Sequence, residues 1–402
     1  MSQAVHGLWP DRIITGDGET VLEGRVVLIN EAGIITGVEL AGSLPSEVPV
    51  KRFSGCTLMP GMIDLHVHLG QWSMHPQASM FSRNPHAVML LAIHNYQNAL
   101  ACGITALRST AEPGGLGEAL RFGLQAGYIR GPRYYSCEKA ITITGGKCGQ
   151  VDSIIQADGE DAVRAAVRRN IADGADWIKA LAGYRRHICE YTQPEMDAIA
   201  DETHRHGLRC CVHAATLPAI ESAIKAGFDV IEHGCFMTPA MAQKAADNGI
   251  AWVPTLFIHQ QAADYLEEKF ISSGSRHNPM ETLQIKYFRD CEAAFAENFK
   301  ANAATGILIG GGTDAVFHDR PITPIADEVA ALAKAGLGVL GAIRAATKNS
   351  AAILGQGTFG VIELGKQADI LIIEGNPMED LSVLKKVSRV YVGGELLYAL
   401  TV

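Results

Sequence analysis

The chain has 402 residues, 48% of them hydrophobic and 19% charged, the profile of an ordered globular protein long enough for one large domain and a smaller one. A formal net charge of -9 argues against nucleic acid as a partner, because phosphate recognition needs a basic face and no basic run exceeds Tyr184-Arg185-Arg186-His187. No apolar run reaches the ~18 residues of a membrane span, and positions 1–17 lack the basic-then-apolar order of an export signal.

The nine cysteines include the adjacent Cys210 and Cys211 but no C-x-x-C, which predicts reduced thiols and a cytoplasmic protein. From Asp11 to Val38, short alternating runs such as Val26-Val27-Leu28-Ile29 are separated by Gly16-Asp17-Gly18, Gly24 and Gly33, the punctuation of small antiparallel strands. The same texture returns at Gly360 to Lys366, Ala368 to Ile373 and Val390 to Gly394. Neither end makes a stable sheet alone, so the two ends are expected to form one small discontinuous β-sandwich domain, residues 1–56 with 358–402.

Residues 57–357 alternate strand and helix. Apolar runs open at Thr57 and recur at Gly103 to Thr110, Arg133 to Thr144, Trp177 to Ala182, Leu208 to Ala214, Val230 to Gly234, Ile250 to Phe257 and Ile307 to Asp314. Helix-like segments such as Asp161 to Gly174, Pro194 to His206 and Leu217 to Gly227 separate them. This rhythm predicts an α/β fold with a (β/α)₈ TIM barrel. A doubly wound sheet would want a glycine-rich phosphate turn after its first strand. Here the first strand ends in His66-Val67-His68.

On a strand, His66 and His68 share one face, and paired neutral imidazoles are half of a site for zinc or a similar ion. Barrel enzymes place their chemistry at strand C-termini. Run four carries Lys179, run five ends at His213, run six at His233 and run eight at Asp314. Any one of these has an ordinary explanation as a core histidine, a paired lysine or a helix cap. Burying all of them among apolar residues would be costly without a metal or close partners.

The residues Pro60-Gly61-Met62-Ile63-Asp64-Leu65-His66-Val67-His68, Trp177-Ile178-Lys179, Val212-His213-Ala214, Ile231-Glu232-His233-Gly234, Gly312-Thr313-Asp314 and Gly365-Lys366-Gln367-Ala368-Asp369 resemble the amidohydrolase superfamily. The resemblance is to its imidazolonepropionase-like and prolidase-like branch and spans essentially the whole chain. It implies a binuclear hydrolase in which His66, His68 and Asp314 hold one divalent ion and His213 and His233 a second. Lys179, carboxylated by carbon dioxide, would bridge them. A carbamate gives each ion an anionic oxygen where an ammonium would repel both. Zinc comes first among the metals that suit such ligands. The resemblance further implies a hydroxide between the metals as nucleophile, with Asp314 as the general base.

The expected reaction is cleavage of an amide-type bond in a small molecule such as a dipeptide, an N-acyl amino acid or an aryl urea or carbamate. Where related peptidases read Thr-Gly-Gly-His-Gly after the third strand, this chain reads Thr144-Gly145-Gly146-Lys147-Cys148-Gly149, and Ala182-Gly183-Tyr184-Arg185-Arg186 replaces a Ser-Gly-Gly stretch. Lys147, Tyr184 and Arg185 are therefore candidates to meet the substrate. His259 to Glu297 is expected to be an insertion that shapes or covers the pocket. Two alternatives stay open: a mononuclear aminohydrolase or lactam hydrolase, disfavoured by Thr216 where such relatives carry a glutamate, and an inactive dihydropyrimidinase-like scaffold. No membrane or nucleic-acid partner is expected, and the oligomeric state, homo-oligomer included, is left open.

Overall fold

A computed structural model describes residues 4–70, 84–147, 152–183, 187–273, 279–314 and 325–400. Strands β1 (Ala4–Ile14), β2 (Val21–Glu23), β3 (Arg25–Asn30), β4 (Ile35–Leu40) and β5 (Val50–Pro60) come from the N-terminal end. They join one hydrogen-bonded sheet with three strands from the other end, Ile370–Glu374, Val387–Val392 and Glu395–Ala399. The seam is β5, which pairs in parallel with β1 and antiparallel with Ile370–Glu374. Alternation decides the core there: Leu8, Ile13, Val27, Ile29, Leu58, Ile370 and Ile372 pack on one face. Gly61 links this sheet to the next strand, and a side chain at that position would collide with Thr105.

The middle of the chain forms parallel strands, β6 (Met62–Val67), β7 (Ile104–Ser109), β8 (Arg133–Ser136), β9 (Ala140–Thr142), β10 (Ile154–Gln156), β11 (Trp177–Ala182), β12 (Arg209–Ala214), β13 (Val230–His233) and β14 (Ala251–Val253). Their hydrogen-bonded orders are β6-β7-β8 and β10-β9-β11-β12-β13-β14. Strands β6, β7 and β11 are buried at every residue, which is why they read as continuous apolar runs. Helices Glu160–Ala172, Gln193–Arg205 and Leu217–Ala226 lie where the three-and-four spacing placed them. Gln193–Arg205 starts where it does because Thr192 and Glu195 form a capping box and Pro194 occupies the first turn.

Runs three and eight depart from simple strands. Run three breaks into β8 and β9 at Glu138, whose φ is 51°. Run eight retains only a bridge, Ile309 to Trp252, because Gly310-Gly311-Gly312 passes too close to its neighbours to carry side chains. A Cβ at Gly310 would lie 2.7 Å from Leu65, and one at Gly312 2.5 Å from Val253. The segment still bonds on both sides. The Trp252 amide donates to Leu308 O at 2.8 Å, the Leu65 amide to Gly311 O at 3.0 Å and the Asp314 amide to His66 O at 2.7 Å.

The segment expected as an insertion is a helical hairpin, Leu256–Ser273 against Pro279–Ala303. Trp252 stacks on Phe295 and packs on Phe299, so the second helix covers the outer end of β14. The helical run 325–353 is a correction to the membrane reading, since by length and mean hydropathy it is apolar enough to cross a bilayer. It nevertheless contains Asp327, Glu328, Lys334, Arg344 and Lys348, is kinked at Gly336, and buries Ile325, Val329, Leu332, Ala342 and Ile343 in the core. Cys56, Cys137, Cys189, Cys210, Cys211, Cys235 and Cys291 are in no disulfide.

Candidate metal centre

Period-two geometry brings His66 and His68 to the same side of the C-terminal end of β6, with ring centroids 5.3 Å apart. Asp314 arrives from the eighth run, its amide bonded to His66 O, and its Oδ1 stands 3.3 Å from His66 Nε2 and 3.1 Å from His68 Nε2. Donor atoms of these three residues all lie within 4.8 Å of one another. His233 stands across the site, its ring 5.1 Å from that of His66 and 4.4 Å from that of His213. Burial comes first in holding the His213 and His233 pKa values well below the ordinary one, with neighbouring cations and imidazoles adding to it. Both are neutral, as metal ligands must be. Asp314 is also partly wrapped, and although burial alone would raise its pKa, His66, His68 and His233 hold the carboxyl well below the usual range.

Lys179 lies at the middle of β11, 1% exposed, and its Nζ has no hydrogen-bond partner among the described residues. It acts electrostatically on both His213 and Glu232, so it belongs to this cluster. A buried ammonium with no acceptor is a costly arrangement. Conversion to a carbamate shared by two cations removes the difficulty, so the donor set (four imidazoles, Asp314 and this lysine) fits two divalent ions. Lys147 also reaches the site: its Nζ is 3.0 Å from Nδ1 and 3.1 Å from Nε2 of His213. Tyr184 and Arg185 lie outside the described residues.

Residues that sequence reasoning had left without a role hold this arrangement in place. Glu232, fully buried beside His233, accepts from His66 Nδ1 at 2.9 Å with one carboxylate oxygen and from Arg108 with the other. Burial would raise its pKa, yet Arg108, Lys179 and His66 bring it down to about 2. The carboxylate therefore fixes the tautomer of His66 that leaves the Nε2 lone pair for a ligand. Thr255 Oγ1 meets His233 Nδ1 at 2.8 Å and Trp252 Nε1 donates to His233 O at 2.7 Å. Asp64 accepts from the His66 amide at 3.1 Å and from the Thr313 amide and hydroxyl at 3.0 and 2.7 Å. It thereby ties the first ligand strand to the last. Alternation puts Asp64 on the face of His66, but nothing in the spacing told whom Asp64 or Glu232 meets.

His259 packs against His233, with ring centroids 5.7 Å apart. Its Nδ1 lies 2.9 Å from Thr255 O and its Nε2 3.2 Å from Cys235 Sγ. His233, Thr255 and Asp314 have φ of 64°, 51° and 50°, an uncommon conformation outside glycine. Such strain concentrates at functional sites, and here it falls on a ligand candidate at each of two strand ends and on the residue that orients one of them.

Parallel strands whose ends carry converging imidazoles and a carboxylate form a candidate metal centre, and the family match makes the chain a hydrolase acting on carbon–nitrogen bonds. The chain belongs to the amidohydrolase family, whose profile matches residues 57–397. It is 26% identical to the ochratoxinase of Aspergillus niger over 432 aligned positions, covering 96% of this chain and 85% of that protein. The crystal structure of that enzyme superposes with a TM-score of 0.83 at 24% identity, covering 100% of this chain and 97% of the other. A Xaa-Pro dipeptidase with methionine bound in its active site gives 0.84 at 27% identity over 98% and 99% of the two chains. A prolidase complexed with N-methylphosphonate-L-proline gives 0.85 at 26% over 98% and 100%.

Proposed function

We propose that this enzyme is a binuclear hydrolase that cleaves the amide bond of a small amino-acid derivative, a dipeptide or N-acyl amino acid first, with aryl ureas and carbamates within the same chemistry. The observation that carries the two-ion reading is Lys179, buried, without a hydrogen-bond acceptor among the described residues and acting electrostatically on His213 and Glu232. His66, His68 and Asp314 would hold one ion and His213 and His233 the other, with carboxylated Lys179 shared between them. Zinc suits these ligands best. Bound there, the ions would supply an activated water and polarise the scissile carbonyl.

The chain's own groups divide the remaining work. Asp314, whose side chain is 23% exposed, reaches both the histidines and the opening, where it can take a proton and return it to the departing nitrogen. Glu232 holds His66 in its ligating tautomer. Lys147, whose Nζ lies beside His213, would receive a substrate carboxylate. Relatives with a bound amino acid and a bound proline phosphonate support a substrate bearing such a group. The bonds from Leu65 to Gly311 and from Asp314 to His66 support closure of the parallel strands into a (β/α)₈ barrel over 57–357, with 1–56 and 358–402 forming the discontinuous β domain.

The test is elemental analysis of protein saturated with zinc and bicarbonate, coupled to a hydrolysis screen of dipeptides, N-acyl amino acids and aryl ureas. The His/Asp/Lys179 centre should take two ions, counted as those lost together when His66, His68, Lys179 and His213 are all replaced. Only one ion lost, with an aminohydrolase activity instead, would move the assignment to a mononuclear enzyme.

A further inference from the structure

Behind His233, away from Asp314, lies a second set of buried donors that the hydrolytic site does not use. Cys235 follows His233 by two residues, His259 is in the first turn of helix Leu256–Ser273, and Cys291 is in helix Pro279–Ala303. All three are buried, at 1%, 4% and 0% exposure. Their Sγ, Nε2 and Sγ atoms all lie within 4.8 Å of one another. A tetrahedral zinc site with metal–sulfur and metal–nitrogen bonds of ordinary length separates its sulfur and nitrogen donors by about 3.6 Å. Cys235 Sγ and His259 Nε2 are 3.2 Å apart.

A second observation concerns the histidine's orientation. Its Nδ1 stands 2.9 Å from Thr255 O, and a carbonyl can only accept. The proton is therefore on Nδ1, and the lone pair of Nε2 points at the two sulfurs. A backbone carbonyl behind a ligating imidazole is the arrangement that metal sites use to fix tautomer and ring direction. Phe288 and Phe295 flank the ring with centroids at 6.0 and 5.4 Å, and the Tyr287 side chain hydrogen-bonds Cys291. Two thiolates and a neutral imidazole would exactly neutralise a dication there, and sulfur donors select zinc and other thiophilic ions over the harder cations.

We propose that Cys235, His259 and Cys291 form a third metal site, a Cys₂His site for zinc or another thiophilic divalent ion, which staples the helical hairpin to the strand end bearing His233. Loading it displaces one proton from each thiol, two per ion. The proposal stands on this cluster alone and is independent of the two-ion reading of the hydrolytic centre.

The experiment uses the full-length protein, purified under reducing conditions, stripped by chelator and reloaded with cobalt(II). The hydrolytic centre offers only nitrogen and oxygen donors, so a thiolate-to-cobalt charge-transfer band in the near ultraviolet reports the sulfur site, whatever the other centre does. The expected result is such a band in the wild type, its loss in Cys291→Ser and in Cys235→Ala, and a metal content lower by one ion per chain in each variant. Far-ultraviolet circular dichroism and thermal unfolding like those of the wild type, with the remaining cobalt retained, would show that Cys291→Ser is folded and its hydrolytic centre loaded. A wild type with no sulfur-to-cobalt band at saturation would overturn the proposal, a readout that needs no variant. So would a band that survives both substitutions, or recovery of a Cys235–Cys291 disulfide as the resting state.

Discussion

Replacing Glu232 by Gln should separate the two things that this carboxylate does. Arg108 is fully buried, donates through Nη2 to Glu232 and through Nε to Leu65 O at 2.9 Å, lies over the Trp177 ring at 4.5 Å, and has an Nη1 without a partner. Glu232 is its only carboxylate contact among the described residues. Removing that charge leaves a buried cation uncompensated, a loss of about 3–5 kcal/mol. On the other side, the amide must turn either its oxygen or its NH₂ to His66. With NH₂ facing His66 the imidazole shifts its proton to Nε2 and cannot ligate, and with oxygen facing His66 the NH₂ meets Arg108 donor to donor. Metal affinity should therefore fall about 10- to 100-fold, the usual effect of losing the group behind a ligating histidine. Urea unfolding in chelator reads the first effect free of metal linkage, and chelator competition reads the second. The double variant Arg108→Met, Glu232→Gln should recover most of the stability and part of the affinity, because without the Arg108 donor the amide oxygen is free to face His66. Glu232→Gln with apo stability within about 1 kcal/mol of wild type and full metal affinity would refute the reasoning, since both consequences follow from the same buried carboxylate.

Lys179→Ala should abolish turnover, with partial rescue by added short carboxylic acids standing in for the carbamate. Lys179→Arg should not rescue, because a guanidinium stays cationic and takes up no carbon dioxide, and an active Arg variant would end the bridging role. Asp314→Asn should lower kcat by about 10²–10⁴-fold while keeping part of its metal, so metal content and kcat are measured together; a fully loaded variant losing under about tenfold would make Asp314 a ligand only. Glu328 accepts from the Leu256 and Phe257 amides at 3.0 and 2.8 Å, and burial pushes its carboxyl from 4.5 up to about 7. The folded state then binds the proton more tightly than the unfolded state, so this contribution is fully present below pH 4.5 and lost as pH rises through about 7. The stability of wild type relative to Glu328→Gln should fall by about 3 kcal/mol across that interval and stay level above it; a difference that does not vary with pH in urea titrations would contradict the assignment.

The candidate ligands were legible in the sequence because a strand end exposes a single position to the site. His213, His233 and Asp314 each close an apolar run, so their chain positions alone announce the address. Lys179 was legible by resemblance and by its presence inside a run buried at every residue. Less legible were contacts whose partners are remote in sequence: Glu232 sits 166 residues from His66 and Asp64 249 from Thr313, and periodicity says which way a side chain faces without saying what it meets. The eighth strand was legible as an apolar run but not as a run of glycines forced by crowding. That requires knowing that Leu65 and Val253 stand where Cβ atoms of Gly310 and Gly312 would go.

Those close approaches bear on how the site is built. Three consecutive glycines let the backbone of the eighth run come near enough to β6 for the Asp314 amide to reach His66 O, and Asp64 then accepts from the residues on both sides of that junction. The chain must turn sharply to aim the Asp314 side chain back at His66 and His68, which is the work of a φ of 50°. A non-glycine residue in that region costs of order 1–3 kcal/mol, and the Asp64 network offsets it by supplying three hydrogen bonds to a buried carboxylate. The same logic recurs at His233, whose φ is 64° and whose carbonyl is held by Trp252 Nε1 and ring by Thr255. Positions on facing strands thus carry strain that surrounding hydrogen bonds hold in place, so both histidine and carboxylate donors are aimed before any ion arrives. Metal binding at these candidate ligands would then need little rearrangement of the backbone, leaving the free energy of ligation for holding metal rather than for ordering the residues around it.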